Sequence, residues 1–257
     1  MSTQKKIILA VVAVAVLGVL GAYGYILFIK DDAPTELTTS DLDDALGAGS
    51  VVDTDAPAAT TAADTSAPSD TAAAADSAPA GDTSDPSGTW NISGDSVLGY
   101  RVSEVLGGVD TEGAGRTSTV TGTLTIDGTT ATAAEFTVDM TTFESDSSRR
   151  DGQFDTRIMT VDQFPTSTFV LTSPIDFGTV PAEGEELTAT ASGDLTLRGV
   201  TNPVTFELTA KLENGRIGVL GSIPILFSDY EIPDPSNGFA EVKDNGLLEF
   251  VLVFDKA

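Results

Sequence analysis

The sequence of 257 residues contains no cysteine and no histidine. Their absence excludes disulfides, thiolate or imidazole metal ligands, and every Ser-His or Cys-His arrangement for nucleophilic catalysis. It also excludes attachment to a membrane through a lipid-modified cysteine, so any anchor has to be a segment of the chain. Carboxylates are abundant, but no motif places two of them across a substrate or in a calcium loop. We therefore expect no enzyme, no metal site and no cofactor.

Basic residues are scarce, because 13 lysines and arginines face 39 aspartates and glutamates and leave a net charge of −26. A nucleic-acid partner requires a basic patch, and the arginines here are scattered along the chain. Nucleic acid is therefore excluded as a partner. The uneven composition also indicates one globular domain rather than two.

A long uncharged run lies near the start of the chain, from Ile7 to Ile29. At about 1.5 Å per residue, a helix of this length spans a bilayer core of about 30 Å. Lys5 and Lys6 precede the run and Asp31 and Asp32 follow it, so the N-terminus is predicted to be cytoplasmic and the rest extracytoplasmic. The alternative is a cleaved signal peptide, whose apolar core is typically shorter, at about 7 to 15 residues.

The stretch from Asp31 to Ser87 has 13 acidic residues, no basic residue, and repeats of Ala, Thr, Ser, Asp and Pro. Such a composition buries too little apolar area to offset the entropy of ordering, so we predict a disordered tether. As a flexible coil it would span on the order of 40 Å. Apolar residues at Leu37, Leu42, Leu46, Val51 and Val52 allow a short helix against a partner, but we favour a nascent helix of no consequence.

From residue 88 onward the sequence is typical of short strands joined by hairpins. Apolar and polar residues alternate strictly from Thr119 to Ile126, and Asp127-Gly128 and Asn214-Gly215 are two-residue hairpin signals. A polar loop is expected from Gly107 to Arg116. Residues Arg149 to Met159 lack the alternation and predict a short helix. Eight or nine antiparallel strands, each with one apolar face, indicate a barrel or a sandwich.

One stretch joins two alternating strands through a tight corner, namely GDLTLRGVTNPVTFEL from Gly193 to Leu208. Pro203 is expected at the start of the second strand, where no ladder hydrogen bond is lost. This run resembles the signature of the YceI family, and the similarity extends to the RDGQF run that starts at Arg150 and to the FSDY run that starts at Phe227. The family often carries a histidine near its first strand, so any role of that residue does not carry over to this chain.

The resemblance covers residues 87–257 and implies an all-β fold, an antiparallel lipocalin-like barrel of about eight strands with a short helix. It also implies binding of a polyisoprenoid or another amphiphilic lipid. We therefore predict an anchor at residues 1–30, a linker at 31–87 and a barrel domain at 88–257. The alternative function is a surface-displayed interaction module whose barrel is solid. A homodimer is left open.

Inward-facing positions of the predicted strands and of the short helix would line one lipid tunnel. Small residues on these positions leave room for a ligand, although glycine also relieves bends at barrel corners. The predicted lining residues are Phe136, Val138, Phe154, Ile158, Phe169, Leu171, Ala191, Leu195, Phe206 and Leu208. Arg150, Asp151 and Asp229 are predicted at the rim or the lipid head group. Arg150 and Asp151 could instead form an ion pair that fixes the helix to the rim, which is the role we favour.

Overall fold

The computed structural model describes residues 33–47, 85–238 and 240–257. Within these residues the chain forms thirteen β-strands that belong to one antiparallel sheet. In chain order the strands are β1 Gly88–Ile92, β2 Val97–Leu106, β3 Val109–Thr117, β4 Val120–Asp127, β5 Thr130–Asp139, β6 Glu144–Ser145, β7 Thr166–Leu171, β8 Ile175–Asp176, β9 Glu186–Leu197, β10 Val200–Glu213, β11 Arg216–Leu226, β12 Ala240–Val242 and β13 Asn245–Lys256.

The sheet closes into a barrel of eight strand positions because β1 pairs with β13. Three positions are each filled by two strands in line, β1 with β2, β3 with β4, and β5 with β6, while β7, β9, β10, β11 and β13 provide the other five. The short strands β8 and β12 are additions that pair with β5 and β2. Neighbouring positions are also neighbours along the chain, so the barrel is an up-and-down meander. The predicted all-β antiparallel barrel of about eight strands is confirmed.

Alternation decides which side chains enter the barrel. On β10, Phe206 and Leu208 are buried whereas Glu207 between them is exposed. The same two-residue period runs along β9, where Leu195 and Leu197 are each 4% exposed. The apolar faces of all eight positions therefore meet in a single interior core.

The polar loop expected from Gly107 to Arg116 is wrong, because β3 occupies most of this stretch and pairs with β2 over its whole length. Gly107 and Gly108 form the hairpin turn between the two strands, with φ angles of 58° and 90°. The sequence did not predict this strand because several side chains on its inward face are small. At Gly115 a Cβ would lie 2.6 Å from the Tyr100 ring, so glycine is the residue that this packing accepts.

The corner before Pro203 is tighter than predicted. Arg198 and Gly199 form a two-residue turn and β10 already begins at Val200, so Pro203 lies inside the strand, opposite Asp194. This position tolerates proline because β11 pairs with β10 only from Leu208 onward, which leaves one side of the strand free at Pro203.

In the part of the chain that the structure describes, two α-helices accompany the barrel, α1 at Thr39–Gly47 and α2 at Ser148–Gln153. The second continues into a π-helical turn at Phe154–Ile158, so the predicted short helix in this region is confirmed. Short 3-10 turns at Met140–Thr142 and Phe227–Tyr230 complete this end of the barrel.

Residues 33–47, which we call the strap, lie along the outer wall of the barrel. Leu42 and Leu46 of α1 are fully buried, and with Leu37 they pack on the outward-facing Val251 and Val253 of β13. The prediction of a disordered tether is therefore wrong for these residues. The prediction considered only the composition of the segment. Strand β13, however, is apolar on both faces, so its outer face provides an apolar surface on which the segment packs.

The remaining predictions for the N-terminal part fall outside the described residues. They concern the uncharged run Ile7–Ile29 and residues 48–84 of the predicted linker. Within residues 33–47, 85–238 and 240–257, no helix is both long enough and apolar enough to cross a bilayer.

Candidate functional site

A cavity of about 350 Å³, cavity B, lies at the end of the barrel where α2 and the Phe227–Tyr230 turn are found. Strand β2 contributes several side chains to it, α2 with its π-helical turn contributes others, and the remainder come from the ends of β9, β11, β12 and β13 and from the loops beside them. Its apolar lining includes Tyr100, Val102, Met140, Phe143, Phe154 and Ile225. Charged residues, among them Glu104 and Arg150, line the same space, so cavity B combines an apolar wall with a polar region.

Arg150 joins the helix to the barrel wall at cavity B. Its Nη2 donates to Glu104 Oε1 on β2 at 3.0 Å, and its Nη1 pairs with Asp146. Both carboxylate side chains are less than a tenth exposed, so the guanidinium neutralises two nearly buried charges. The side chain also lies over Gly113, where a Cβ would be 2.9 Å from Arg150 Nε. Arg150 therefore has a structural task in addition to lining the cavity.

Three aromatic rings close the wall of cavity B beneath α2. Phe154 stacks on Tyr100 with ring centroids 5.0 Å apart, and Phe143 lies 5.2 Å from Phe154. Burial raises the pKa of Tyr100, so its phenol remains neutral throughout the physiological range. The cluster presents a broad apolar surface with a neutral hydroxyl.

The opposite end of the barrel contains cavity A, of about 120 Å³. Its wall is almost entirely apolar and includes Ala131, Ala134, Leu171, Ala191, Leu208 and Leu252. Pro86 and Phe177 lie at the mouth side, next to the loops of that end. The small residues predicted to leave room therefore do so, and the space that they leave accepts an apolar group.

Four phenylalanines form a ring at the inner end of cavity A, which we call the aromatic belt. Phe136 contacts Phe169 and Phe250, and Phe206 contacts the same two rings, with centroid distances from 5.2 to 6.1 Å. Three glycines on strands that flank the belt residues make space for the phenylalanines, namely Gly122 for Phe136, Gly193 for Phe169 and Gly221 for Phe250.

Beyond the belt lies a layer of packed side chains that line neither cavity. It contains Leu98, Val120, Val138, Leu195 and Ile223, all less than a tenth exposed. The interior is thus hollow at both ends and filled at its middle.

The predicted lining residues consequently divide into three groups. Phe136, Phe169, Leu171, Ala191, Phe206 and Leu208 line cavity A, Phe154 and Ile158 line cavity B, and Val138 and Leu195 belong to the packed layer. The ten predicted residues therefore lie along two separate spaces and a packed layer rather than along one tunnel, because the belt and the packed layer lie between cavity A and cavity B.

The predicted pair of Arg150 and Asp151 is replaced by other contacts. Arg150 bonds to Glu104 and Asp146, while Asp151 Oδ1 accepts hydrogen bonds from the Ser145 backbone nitrogen at 2.9 Å and hydroxyl at 2.6 Å. Asp229 is exposed and lies on an outer groove beside Tyr230, away from both cavities. Of the three predicted rim residues, only Arg150 lines cavity B.

Glu104, Asp146 and Tyr100 are site residues that the sequence analysis missed. For Glu104 the sequence contains an indication, because Tyr100, Val102 and Glu104 follow one another at a period of two and must share a face of β2. A carboxylate at the end of an apolar face points to a buried partner. In the part of the chain that the structure describes, no group of carboxylates is arranged to hold a metal ion.

A closed meander barrel with an apolar interior and a charged region at one end defines the lipocalin-like class of small-ligand-binding barrels. The model of the YceI-like domain matches residues 90–254, so the chain belongs to the YceI-like family.

Among solved structures, a polyisoprenoid binding domain from Saccharophagus degradans implicated in plant cell wall breakdown is similar to this chain. The two share 18% identity at a TM-score of 0.54, over 66% of this chain and 98% of that one. BcnA of Burkholderia cenocepacia shares 22% identity at a TM-score of 0.48, over 61% of this chain and 95% of that one. At 18% identity, the similarity to the Saccharophagus degradans domain shows the fold alone. No curated protein matches the chain.

Proposed function

We propose that the protein binds an amphiphilic lipid with a polyisoprenoid-type chain and carries or sequesters it without making or breaking bonds. The observation that carries this proposal is cavity B. This cavity has a volume of about 350 Å³, and its apolar wall adjoins the charged side chains of Glu104 and Arg150. These two side chains pair with each other, and their polar atoms border the same space as the apolar wall, so a lipid head group can contact them while its chain meets the wall. The apolar chain lies against Tyr100 and Phe154.

Two further facts support the proposal. The chain belongs to the YceI-like family, and its structural relative from Saccharophagus degradans is described as a polyisoprenoid binding domain. Burial of the chain would contribute about 25 cal/mol for each Å² of apolar surface removed from water, which is sufficient for a long tail to survive purification.

We also propose that the protein is anchored in a membrane by a helix at Ile7–Ile29, with its barrel on the extracytoplasmic side. The length of the uncharged run and the lysines that precede it support this arrangement. Carbonate washing should leave the full chain in the membrane. Recovery of a soluble species whose N-terminus lies between Gly21 and Ala33 would identify a cleaved signal peptide instead.

The lipid proposal is tested by organic extraction of the purified protein, which should yield a prenyl-type lipid in stoichiometric amount. Val102→Trp should fill cavity B and abolish the bound lipid, because Val102 lines that cavity. Val170→Trp is the matched control, since Val170 is 46% exposed on the outer face of β7.

An extract without lipid, together with no thermal stabilisation by added polyprenyl compounds, would contradict lipid binding. The packed middle of the barrel, formed by residues such as Leu195 and Ile223, would then favour the interaction module. Loss of lipid in both tryptophan variants would show that the effect of Val102→Trp does not arise in cavity B.

A further inference from the structure

The strap is held to the barrel by polar contacts along its whole length. At its amino end, Arg101 Nη2 donates to Pro34 O at 2.6 Å and Arg116 donates to Thr35 O. Glu249 on β13 is 2% exposed and accepts the Leu37 backbone N–H at 3.1 Å. Its second oxygen accepts from Arg116 at 3.0 Å, so this buried charge is paired and the strap completes its set of partners.

The carboxyl half of the strap is fixed in the same way. Lys211 Nζ lies 2.6 Å from Asp43 Oδ1, and Arg216 Nη1 donates to Ala45 O at 3.2 Å. Gly218 makes the close approach of α1 possible, because a Cβ there would lie 2.5 Å from Leu42 Cδ1. The strap is therefore a docked part of the domain with a defined direction.

This direction relates the strap to the two cavities. Its amino end contacts Arg101, which lies on β2 between Tyr100 and Val102 of cavity B. Its carboxyl end contacts Lys211 through Asp43 and Asn214 through Leu46 O, and Lys211 lines cavity A. Followed backwards along the chain, the strap thus runs from the cavity A end of the barrel towards the cavity B end.

Only four residues separate Ile29, the last residue of the uncharged run, from Pro34 on the barrel wall. Even fully extended, the five residue steps from Ile29 to Pro34 cover at most about 18 Å, at about 3.6 Å per residue. The distance between the anchor and the barrel is therefore set by these few residues. Residues 48–84 do not contribute to it, because they follow the strap.

We propose that the strap holds the barrel against the bilayer with its cavity B end facing the lipid surface. This inference rests on the proposed membrane anchor, and it identifies the partner of the cavity B end as the bilayer itself. A lipid then passes between the membrane and cavity B without crossing the distance that a long tether would impose. Cavity A faces away from the membrane.

The absence of cysteine makes a direct test possible, because a single introduced thiol can be labelled without background. Ser148→Cys places a fluorophore on exposed α2 at the cavity B end, and Thr179→Cys places one on an exposed loop beside cavity A. The full chain is reconstituted in phosphatidylcholine vesicles that contain a spin-labelled head group, which quenches fluorophores at short range. We expect quenching at Ser148 to exceed quenching at Thr179 several-fold.

Release of the strap should remove this difference. The double variant Leu42→Asp with Leu46→Asp places two charges in the apolar contact, and Gly218→Val obstructs the same contact from the barrel side. Proteolysis between residues 33 and 47 reports whether the strap is released in each variant. A release variant that keeps the difference in quenching would overturn the role of the strap.

Equal quenching at the two positions in the unmodified chain, or stronger quenching at Thr179, would overturn the proposed orientation. Loss of the protein from the vesicles on carbonate washing would overturn the anchor, and with it this inference. Lipid extraction from the same preparations is independent of both results, so failure of lipid binding is recognised separately.

Discussion

At the scale of single residues, the interior depends on glycines that lie beneath aromatic rings. A Cβ added at Gly193 would lie 2.3 Å from the Phe169 ring and 2.6 Å from Val170 O. The ring has packed partners in the belt and the carbonyl belongs to the backbone of β7, so neither can move away easily. Gly193 is thus required by packing, although it lies in the middle of a strand.

Gly193→Ala should therefore destabilise the protein by about 1–3 kcal/mol, the range typical of an overpacked core. Urea unfolding measures the change. Gly152→Ala is the matched control, because nothing lies within 4 Å of a Cβ at that position and alanine favours the helical conformation of α2. Equal stability of Gly193→Ala and the parent protein would show that the belt can rearrange at no cost.

At the scale of elements, the strap is stabilised by tertiary contact, because α1 has only nine residues and is too short to be a stable helix in isolation. Its apolar side chains meet Val251 and Val253, which are 1% and 0% exposed. Undocking would expose both surfaces at once. The strap therefore contributes to the stability of the whole domain, and Leu42 and Leu46 approach Gly218 closely.

Leu42→Ala should lower the melting temperature by several degrees. A buried leucine truncated to alanine typically costs about 2–5 kcal/mol, but the loss here cannot exceed the free energy of docking, since the strap can detach instead. For a chain of this size, 1 kcal/mol corresponds to about 2–4 °C. Leu226→Ala, at a leucine that is 48% exposed, is the control. An unchanged melting temperature would favour the independent tether that the composition of the segment predicts.

The π-helical turn that follows α2 carries a carboxylate that disfavours folding at neutral pH. Burial, followed by the neighbouring charges of Asp151 and Asp162, raises the pKa of Asp155 above its ordinary value of 3.8. The folded state then holds this proton more tightly than the unfolded state does. Stability is consequently lost as the pH rises from the ordinary value through the raised pKa.

Asp155→Asn should therefore raise the melting temperature at pH 7, and the gain should shrink as the pH falls towards the ordinary value of 3.8 and vanish well below it, where the carboxyl is protonated in both states. Asp194→Asn, at an exposed position of β9, removes one negative charge at a different place and serves as the control. A gain that is independent of pH, or equal in the two variants, would contradict the assignment to Asp155.

At the scale of the whole molecule, the barrel has two compartments rather than one. Cavity B offers polar and apolar contacts, cavity A offers apolar contacts, and the aromatic belt with the packed layer lies between them. If the proposed lipid binds in cavity B, a short chain would leave this middle undisturbed. A longer chain would have to displace side chains such as Phe206, and the displacement would weaken its binding.

Phe206→Leu should therefore shift the preference towards longer prenyl chains, because it removes a ring that contacts both Phe169 and Phe250. Competition between short and long prenyl lipids, read by mass spectrometry of the extract, measures the ratio bound. Phe164→Leu is the matched control, since Phe164 packs over Gly199 outside both cavities. An unchanged ratio in Phe206→Leu would show that the belt does not select chain length.

The main strand pattern, the inward faces and the all-β class of the fold could be predicted from the sequence. Alternation of apolar and polar residues is a local property of the chain, so Phe206 and Leu208 could be assigned to the interior from β10 alone. The glycine turns and the short helix after Arg149 are likewise decided within a few residues. The short strands β6, β8 and β12 were not predicted, and neither was β3, whose inward residues include Gly113 and Gly115 and carry no apolar pattern.

The tertiary structure alone decided what these faces meet. Whether four phenylalanines from β5, β7, β10 and β13 close the interior depends on strand register, and so does the choice of Glu104 over Asp151 as partner of Arg150. Docking of the strap depends on Val251 and Val253, more than 200 residues away in the chain. Contacts between distant segments depend on the free energy of packing in three dimensions. The alternation of apolar and polar residues along one strand contains no information about that packing.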